Sequence, residues 1–432
     1  MRTVLACALW IAPALAHAAV PRDWLATTTL FGNPLHERLT LEADGDKLTG
    51  TLGDDKLEGT VKGAAIHFVA KSDDGSAAEV TATLGAGSQT MTGTWLRIEA
   101  DDPKNPVKAA FTARTIPARR PGPPRRHEFA PTTFYRQFSA DTKPVLTIWP
   151  GDSVHTTTVD AGGGDERGVT RVLGGNPQTG PFYVETAVPG DVLAVHLTRV
   201  RLNRDYAISD DAIVPRALGP ALAVKMKDGG KTIRWRLDRE RGMAVPEKPS
   251  DRLKGYSVPL KPMLGCVGVA PGFASAPPPT GDNGRYGGNM DFNEAVEGAT
   301  VYLPVAQPGA LLYVGDGHAV QGDGELNGNA LETSMEVELS VDVIPHKRIG
   351  GPRVESATHI MALGYGGSLE DALRFAIANL AGWLEQDYKL DPSELAQVMG
   401  TAVEIKIGEV ADRNAGVMAA IAKQRLAGLP RP

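Results

Sequence analysis

The sequence predicts a mainly β protein, sandwich-like or barrel-like: a small antiparallel β domain precedes a larger β-rich α+β domain with a few C-terminal helices. Its 432 residues include 49 glycines and 32 prolines, which favour short strands joined by many turns. Residues 24–115 alternate apolar and polar side chains between Gly and Asp-Gly turns, a pattern typical of antiparallel strands. Helical spacing of apolar residues follows residue 368.

The first eighteen residues predict a secretory signal peptide. Arg2 supplies the positive charge, Val4 to Leu15 the apolar segment, and Ala16-His17-Ala18 the small-X-small cleavage site. That apolar run is too short to span a bilayer, and no other run is longer, so we expect no membrane span. We expect an exported, periplasmic protein. Cys7 leaves with the signal peptide, and the remaining Cys266 cannot form an internal disulfide.

Residues 19–115 are predicted to form the small antiparallel β domain. A short motif recurs within it, at Leu48-Thr49-Gly50-Thr51-Leu52, Leu57-Glu58-Gly59-Thr60-Val61 and Met91-Thr92-Gly93-Thr94-Trp95, and it indicates a meander of strands. Residues 116–128 are rich in Pro and Arg, which predicts an extended, semi-rigid linker. Residues 129–432 then form the larger domain. The formal charge of −6 argues against nucleic acid as a partner, because a phosphate backbone requires a basic face.

The end of the chain predicts two helices and a strand. Ser368 is a suitable N-cap, and Glu370 and Asp371 follow in the first turn, where the helix dipole favours negative charge. An apolar stripe at helical spacing then predicts a packed helix: Leu373, Ile377, Leu380 and Leu384. A second helix is predicted to begin at residues 391–394, and residues 403–407 alternate as a half-exposed strand.

The strongest candidate for chemistry is a doubled tetrapeptide, Gly315-Asp316-Gly317-His318 and Gly322-Asp323-Gly324-Glu325. In an extended backbone, residues two apart share a face, so we expect Asp316 beside His318 and Asp323 beside Glu325. Such a set can bind a divalent cation, whereas the alternative is a solvated hairpin turn. The apolar run at 310–314 favours the site, because acids at the end of a buried strand are costly unless paired or bound to metal.

Other candidates lie at strand ends and in one glycine-rich loop. Asp160 and Glu185 each follow a strand-like run near Gly or Pro, and Asn289 and Asp291 lie in the loop at 281–291. The Asn289 amide could donate to a developing oxyanion, and Asp291 could join a metal site. Cys266 is an alternative nucleophile, but no histidine lies near it in sequence, so a buried structural thiol is the better interpretation.

Four blocks of this chain together resemble the acetamidase/formamidase family. They are residues 180–185, 265–271, 287–291 and 309–325, and the resemblance runs from about residue 129 to about residue 412. It implies a β-rich fold and hydrolysis of short aliphatic amides to a carboxylic acid and ammonia, with a metal ion in some members. The chain departs from the family pattern in its export signal, its added N-terminal β domain and its segment at 203–259. We expect a small amide substrate and a homo-oligomer.

The chemistry predicted is metal-assisted amide hydrolysis. We expect the metal ligands among Asp316, His318, Asp160, Asp291 and Asp323. Glu325 or Glu185 would be the general base and later the acid, and Asn289 would stabilise the oxyanion. Zinc suits a mixed imidazole and carboxylate site, and calcium is the alternative for an oxygen-rich one. The rival function is an exported, non-catalytic ligand-binding protein with a structural metal ion.

Overall fold

The chain forms two compact units that divide between Ile116 and Pro117. The computed structural model describes residues 20–118, 120, 122–272 and 276–430. The predicted signal peptide lies outside these residues. Both described units are built mainly from strands, which confirms the predicted fold class. Among the helices described, none has the length and apolar character that crossing a membrane requires.

The smaller unit is a closed barrel of eight antiparallel strands, in which each strand pairs with the next and the last pairs with the first. The strands are β1 (Asp23–Leu30), β2 (Asn33–Asp44), β3 (Lys47–Leu52), β4 (Asp55–Lys62), β5 (Ala65–Lys71), β6 (Ala77–Leu84), β7 (Thr90–Ile98) and β8 (Val107–Thr115). Trp24, Phe68 and Phe111 are fully buried in its core. The alternating pattern of the sequence therefore corresponds to side chains that point into and out of one barrel.

The glycines of the recurring motif allow neighbouring strands to approach closely. A Cβ on Gly59 would lie 2.1 Å from the carbonyl oxygen of His67, and one on Gly93 would lie 2.1 Å from that of Thr81. Any larger residue would force these strands apart. The glycine therefore recurs in the motif because neighbouring strands approach equally closely at each of these positions.

The described part of the larger unit contains twenty strands and four helices. The first ten strands are β9 (Arg126–Glu128), β10 (Leu146–Ile148), β11 (Ser153–Thr157), β12 (Thr179–Val184), β13 (Val192–Leu202), β14 (Tyr206–Asp210), β15 (Thr232–Asp238), β16 (Met243–Pro246), β17 (Val258–Pro259) and β18 (Met263–Val269). The others are β19 (Asn283–Gly284), β20 (Gly287–Asn289), β21 (Thr300–Pro304), β22 (Leu312–His318), β23 (Glu332–Thr333), β24 (Met335–Ile344), β25 (Arg353–Glu355), β26 (His359–Gly366), β27 (Glu404–Glu409) and β28 (Ala415–Ala422). The helices are α1 (Pro220–Lys225), α2 (Leu369–Tyr388), α3 (Pro392–Ala402) and α4 (Lys423–Leu426).

These strands form two large sheets around one apolar core. A nine-stranded sheet has the order β27-β28-β26-β25-β21-β13-β24-β11-β9. An eleven-stranded sheet has the order β17-β16-β15-β14-β23-β22-β18-β20-β19, with β12 on β22 and β10 on β12. Leu193 and Leu339 from the first sheet share this core with Leu264 and Leu312 from the second. Strand β22 lies in the middle of its sheet, and all seven of its residues are buried.

The C-terminal helices begin where the sequence predicts. The Ser368 side chain accepts a hydrogen bond from the backbone of Asp371, and Asp391 and Glu394 form a reciprocal capping box at the start of α3. Leu380 and Leu384 are fully buried, which confirms the apolar stripe of α2.

The segment predicted as a linker is partly a strand. Residues 126–128 form β9, which pairs in parallel with β11. The buried Asp152 carboxylate accepts from the backbone of Arg125 at 2.7 Å and from Arg120 Nη2 at 3.2 Å. A composition rich in Pro and Arg does not reveal these partners, because the pairing is with residues distant in sequence.

Candidate active site

The register of β22 gathers the candidate side chains. On one side, His318 lies opposite Glu332 of β23. On the other, Gly317 pairs with Leu264 and Gly315 with Cys266, which places Gly265 beside Asp316. Three strands distant in sequence therefore contribute to one place in the sheet.

Four carboxylates surround the imidazole of His318. Its Nε2 lies 3.2 Å from Glu332 Oε1, 3.6 Å from Asp316 Oδ2 and 3.9 Å from Asp291 Oδ1. Two sets of possible ligand atoms each lie within 4.8 Å of one another, Asp316 with His318 and Glu332, and Asp291 with His318 and Glu325. None of the five side chains belongs to a residue more than 4% exposed. We call these five residues the acid cluster.

Gln321 sets the orientation and the tautomer of His318. The Gln321 amide donates from Nε2 to the backbone oxygens of Asp291 at 2.6 Å and Gly408 at 3.4 Å, which leaves its Oε1 as an acceptor. His318 Nδ1 lies 2.8 Å from that Oε1 and so carries the hydrogen. In its neutral form the imidazole therefore presents the Nε2 lone pair to the carboxylates, as a metal-binding histidine requires.

The acid cluster fits a cation. Five of its buried atoms have no hydrogen-bond partner among the described residues: Asp291 Oδ1, Asp316 Oδ1, Asp316 Oδ2, His318 Nε2 and Glu332 Oε2. Buried carboxylate oxygens without partners are costly unless a proton or a metal ion compensates them. Imidazole nitrogen with carboxylate oxygen is a donor set that zinc accepts. Because Nδ1 is bonded to Gln321, His318 can bind a cation only through Nε2, and so can be a ligand to one ion at a time.

Burial and mutual repulsion make the cluster retain protons. Burial, followed by the charge of Asp316, raises the pKa of Glu332 to about 8. Burial also raises the pKa values of Asp291 and Glu325 well above those of ordinary carboxyls, with further increases from neighbouring acids. Burial alone would lower the pKa of His318, but the charges of Glu332 and Asp316 hold it well above its usual value. The site therefore favours added positive charge.

Three of the acids have left-handed backbone. The φ angles are 41° at Asp291, 55° at Asp316 and 47° at Glu325. Residues other than glycine seldom adopt this region, and the cost is of order 1–3 kcal/mol each. Such strain persists where the surrounding fold imposes it and concentrates at functional sites, so it supports a functional role for this cluster.

Gly265 provides the space that two of these acids occupy. A Cβ at this position would lie 2.4 Å from Asp316 Oδ2 and 2.5 Å from Asp291 Oδ1. The two carboxylates can therefore approach each other only because residue 265 has no side chain.

Several predicted site residues lie outside the cluster. Asp323 has a side chain that is 56% exposed and is paired with Lys406 Nζ at 2.9 Å, so it does not share a face with Glu325 as predicted. Asp160 is paired with Arg204 Nη2 at 2.7 Å. Glu185 is half-buried just after β12 and belongs to neither set of possible ligands. The sequence pattern around these acids carried no information about their ion-pair partners.

Asn289 lies against the cluster, but in a different role from the one predicted. Its Nδ2 donates to Asp291 Oδ2 at 2.6 Å and to Asp412 Oδ2 at 2.9 Å. Both amide hydrogens are therefore engaged, and neither is free to donate to an oxyanion. Asn289 positions the Asp291 carboxylate.

Sequence reasoning missed Glu332, Gln321 and Gly265. Glu332 does not lie in a Gly-Asp-Gly motif or a glycine-rich loop, and only the pairing of β22 with β23 brings it to His318. Gln321 occupies the position three residues after His318, and its spacing could have indicated a hydrogen-bond partner. Gly265 directly precedes Cys266, and glycines within a strand indicate a close approach without identifying the neighbour.

Cys266 is the buried thiol that the sequence favoured. Burial, with the charges of Asp316 and Asp291, raises the pKa of this thiol well above its usual value. A protonated thiol is a poor nucleophile, so the geometry gives no support to cysteine chemistry.

The fold and the acid cluster together define a β-rich enzyme domain with a buried acid–imidazole site. Comparison with known proteins gives a more specific result: the chain is similar to the acetamidase/formamidase family, as the sequence predicted, and the model of that family matches residues 273–403. The chain is also 28% identical over 212 residues to a "putative formamidase" of Schizosaccharomyces pombe, which covers 38% of this chain. The match spans about half of that relative, 51% of its length.

Solved structures extend the similarity to about 70% of the chain. A recombinant predicted acetamidase/formamidase from Thermoanaerobacter tengcongensis is similar over 71% of this chain and 99% of its own, with a TM-score of 0.60 and 26% identity. An acetamidase from Bacillus halodurans is similar over 70% of this chain and 99% of its own, with a TM-score of 0.60 and 27% identity. An acetamidase from Yersinia enterocolitica is similar over 71% of this chain and 94% of its own, with a TM-score of 0.61 and 29% identity. All three structures are of proteins named as acetamidases or as a predicted acetamidase/formamidase.

Proposed function

We propose that the larger unit hydrolyses short aliphatic amides of the formamide and acetamide type to a carboxylic acid and ammonia, with the help of a divalent cation. The observation that carries the proposal is that unpartnered carboxylate oxygens of Asp316 and Asp291 lie 3.6 and 3.9 Å from the Nε2 atom of the buried His318. The similarity to acetamidases supports the substrate class.

His318, Asp316 and Glu332 are the residues that would hold the cation. Their ligand atoms lie within 4.8 Å of one another, and Gln321 presents the correct nitrogen of His318. When bound, a divalent cation lowers the pKa of water and polarises an amide carbonyl. We propose zinc, because the donor set mixes imidazole and carboxylate, with calcium as the alternative.

Glu325 and Asp291 are not among the residues that would hold the cation, and we assign them to proton transfer. An amide needs a base to remove a proton from water and an acid to protonate the departing amine. Glu325 suits both steps, since burial raises its pKa towards the range in which it can accept and return a proton. Asn289 holds the Asp291 carboxylate by a hydrogen bond. Asp291 and Glu325 both lie near the imidazole of His318, so the charge of each affects the protonation of the other.

Ammonia release from formamide, acetamide and propionamide, measured with and without a chelator, tests this function. We expect turnover by the wild-type chain, loss on chelation, recovery on adding zinc, and no turnover by His318→Ala. The matched control is His67→Ala, at a half-exposed histidine of the barrel that pairs with Glu79. Stoichiometric metal binding without ammonia release would instead support the non-catalytic binding protein.

Export and assembly remain proposals of the sequence. We propose a periplasmic location from the signal-like segment at residues 1–18, and we propose that the chain forms a homo-oligomer. Fractionation of cells and the mass of the purified protein in solution test the two proposals separately.

A further inference from the structure

A cavity lies between helix α2 and strand β26, and none of the acid cluster lines it. Its volume is about 460 Å³, within the range of small-molecule sites. The side chains that matter here are Arg285, Arg353, Leu363, Phe375, Ala378 and Asn379, and glycines form much of the remaining wall. The glycines leave open a space that larger residues would fill.

The charge of this cavity has one sign. Among the described residues that line it, Arg285 and Arg353 are cationic and none is acidic. Arg353 is only 2% exposed. Its guanidinium donates to Asn379 Oδ1 at 2.9 Å, Asn379 O at 3.1 Å and Gln386 Oε1 at 3.3 Å, all of them oxygens of uncharged amides.

The acid that acts on Arg353 is already engaged elsewhere. Asp387 accepts from Lys347 Nζ at 2.6 Å and from Trp383 Nε1 at 2.9 Å. Burial lowers the pKa of Arg353 to about 10, and the charge of Asp387 only partly offsets that effect. A buried guanidinium without a carboxylate partner is costly to the fold, which makes it a ready partner for an incoming anion.

We propose that this cavity binds a small organic carboxylate, whose acid group pairs with Arg353 and whose apolar part packs against Leu363 and Phe375. The planar guanidinium matches a carboxylate through two parallel hydrogen bonds. Leu363 is buried, whereas Phe375 is 57% exposed and gives the cavity an apolar edge. A single buried cation in an apolar lining suits a monoanion with an apolar tail. This site is separate from the proposed amidase function and does not depend on it.

Calorimetric titration of the whole chain with phenylacetate tests the proposal, with the uncharged 2-phenylethanol as the control ligand. We expect phenylacetate to bind and 2-phenylethanol to bind much more weakly. Arg353→Met should weaken phenylacetate binding by at least about tenfold, since a hydrogen bond to a charged group is removed. Ala378→Phe should also weaken it, because this exposed helical residue lines the cavity and the larger ring fills it.

Two further variants locate the binding. Arg374→Met removes an exposed arginine of the same helix that pairs with Asp371, and it should leave phenylacetate binding unchanged. His318→Ala should leave it unchanged as well. If Arg353→Met does not fold, Ala378→Phe carries the test. The proposal is overturned if phenylacetate does not bind, if 2-phenylethanol binds equally well, if Ala378→Phe binds normally, or if His318→Ala abolishes binding.

Discussion

The two Gly-Asp-Gly tetrapeptides have nearly the same sequence and opposite environments. In the first, Asp316 is 1% exposed and neither of its carboxylate oxygens has a hydrogen-bond partner among the described residues. In the second, Asp323 is bonded to Lys406 Nζ and to Asn293 Nδ2, each at 2.9 Å, and its side chain is 56% exposed. The motif is therefore not a site in itself. Its surroundings decide whether the aspartate is available to a ligand.

Strand pairing explains the difference. Asp316 lies within β22, between β18 and β23, so neighbouring strands cover it and bring Glu332 and Gly265 to it. Asp323 lies in the loop that follows, where Lys406 of β27 neutralises it. Glu325, two residues further on, returns to the interior and is 4% exposed. The doubled motif thus contributes Asp316, His318 and Glu325 to the acid cluster, and of its three acids only Asp323 lies outside.

The largest contrast is expected between Asp316→Asn and Asp323→Asn. The first change removes a proposed metal ligand, and we expect amide turnover to fall by more than about 100-fold, the upper range for residues that only support a ligand. The second alters an exposed ion pair, and turnover should stay within about twofold, because such pairs contribute little. Ammonia release measures both. Equal losses in the two variants would contradict the distinction.

A comparable contrast is expected from two glycines. Gly265→Ala places a methyl group 2.4 Å from Asp316 Oδ2, so the carboxylates must separate, and we expect turnover to fall by roughly 100-fold. Gly322→Ala in the second tetrapeptide is the control, because a Cβ there meets nothing within 4 Å. Thermal unfolding of both variants establishes whether a loss of activity reflects the site or the fold. Normal turnover by a folded Gly265→Ala protein would disprove the crowding argument.

A smaller effect is expected from Gln321→Leu, which leaves all the cluster residues in place. His318 loses the acceptor that fixes its tautomer, so zinc affinity should fall by about 10- to 100-fold. The nitrogen chemical shifts of His318 should change from the Nδ1-protonated pattern to a mixture. Gln397→Leu on helix α3 is the control, since Gln397 hydrogen-bonds only within its own helix among the described contacts. Unchanged shifts in Gln321→Leu would remove the proposed role.

The smallest expected effect is a pH dependence of stability in the chelated protein. The pKa of Glu332 rises on folding from 4.5 to about 8, so the folded state binds more protons between these values. The resulting stabilisation is complete below about 4.5 and is lost as the pH rises through about 8. Burial raises the pKa of Asp323, but Lys406 and Asn293 lower it by more, so the net shift is downward. The stabilisation of the fold by Asp323 is therefore lost as the pH falls. Denaturant unfolding of wild type and Glu332→Gln should show a flatter profile in the variant, and identical profiles would contradict the assignment.

The sequence predicted local features well, because their causes are local. Ser368 and Asp391 cap their helices, and the alternation in residues 24–115 corresponds to one barrel. Asp291, Asp316, His318 and Glu325 lie close together, and they could be named from the sequence because turns and strand ends concentrate acids; their roles stay predictions. Glu332 could not be predicted, because only strand pairing brings it to His318. Asp160 and Asp323 were expected at the site, but their cationic partners, Arg204 and Lys406, are distant in sequence.

Zinc titration of three proteins tests the central claim most directly: wild type, Asp316→Asn and Asp323→Asn, each stripped of metal beforehand. The acid cluster predicts one ion per chain for wild type and Asp323→Asn, and binding that is lost or at least about 100-fold weaker for Asp316→Asn. Equal binding by all three proteins, or none by the wild type, would contradict a cation at His318.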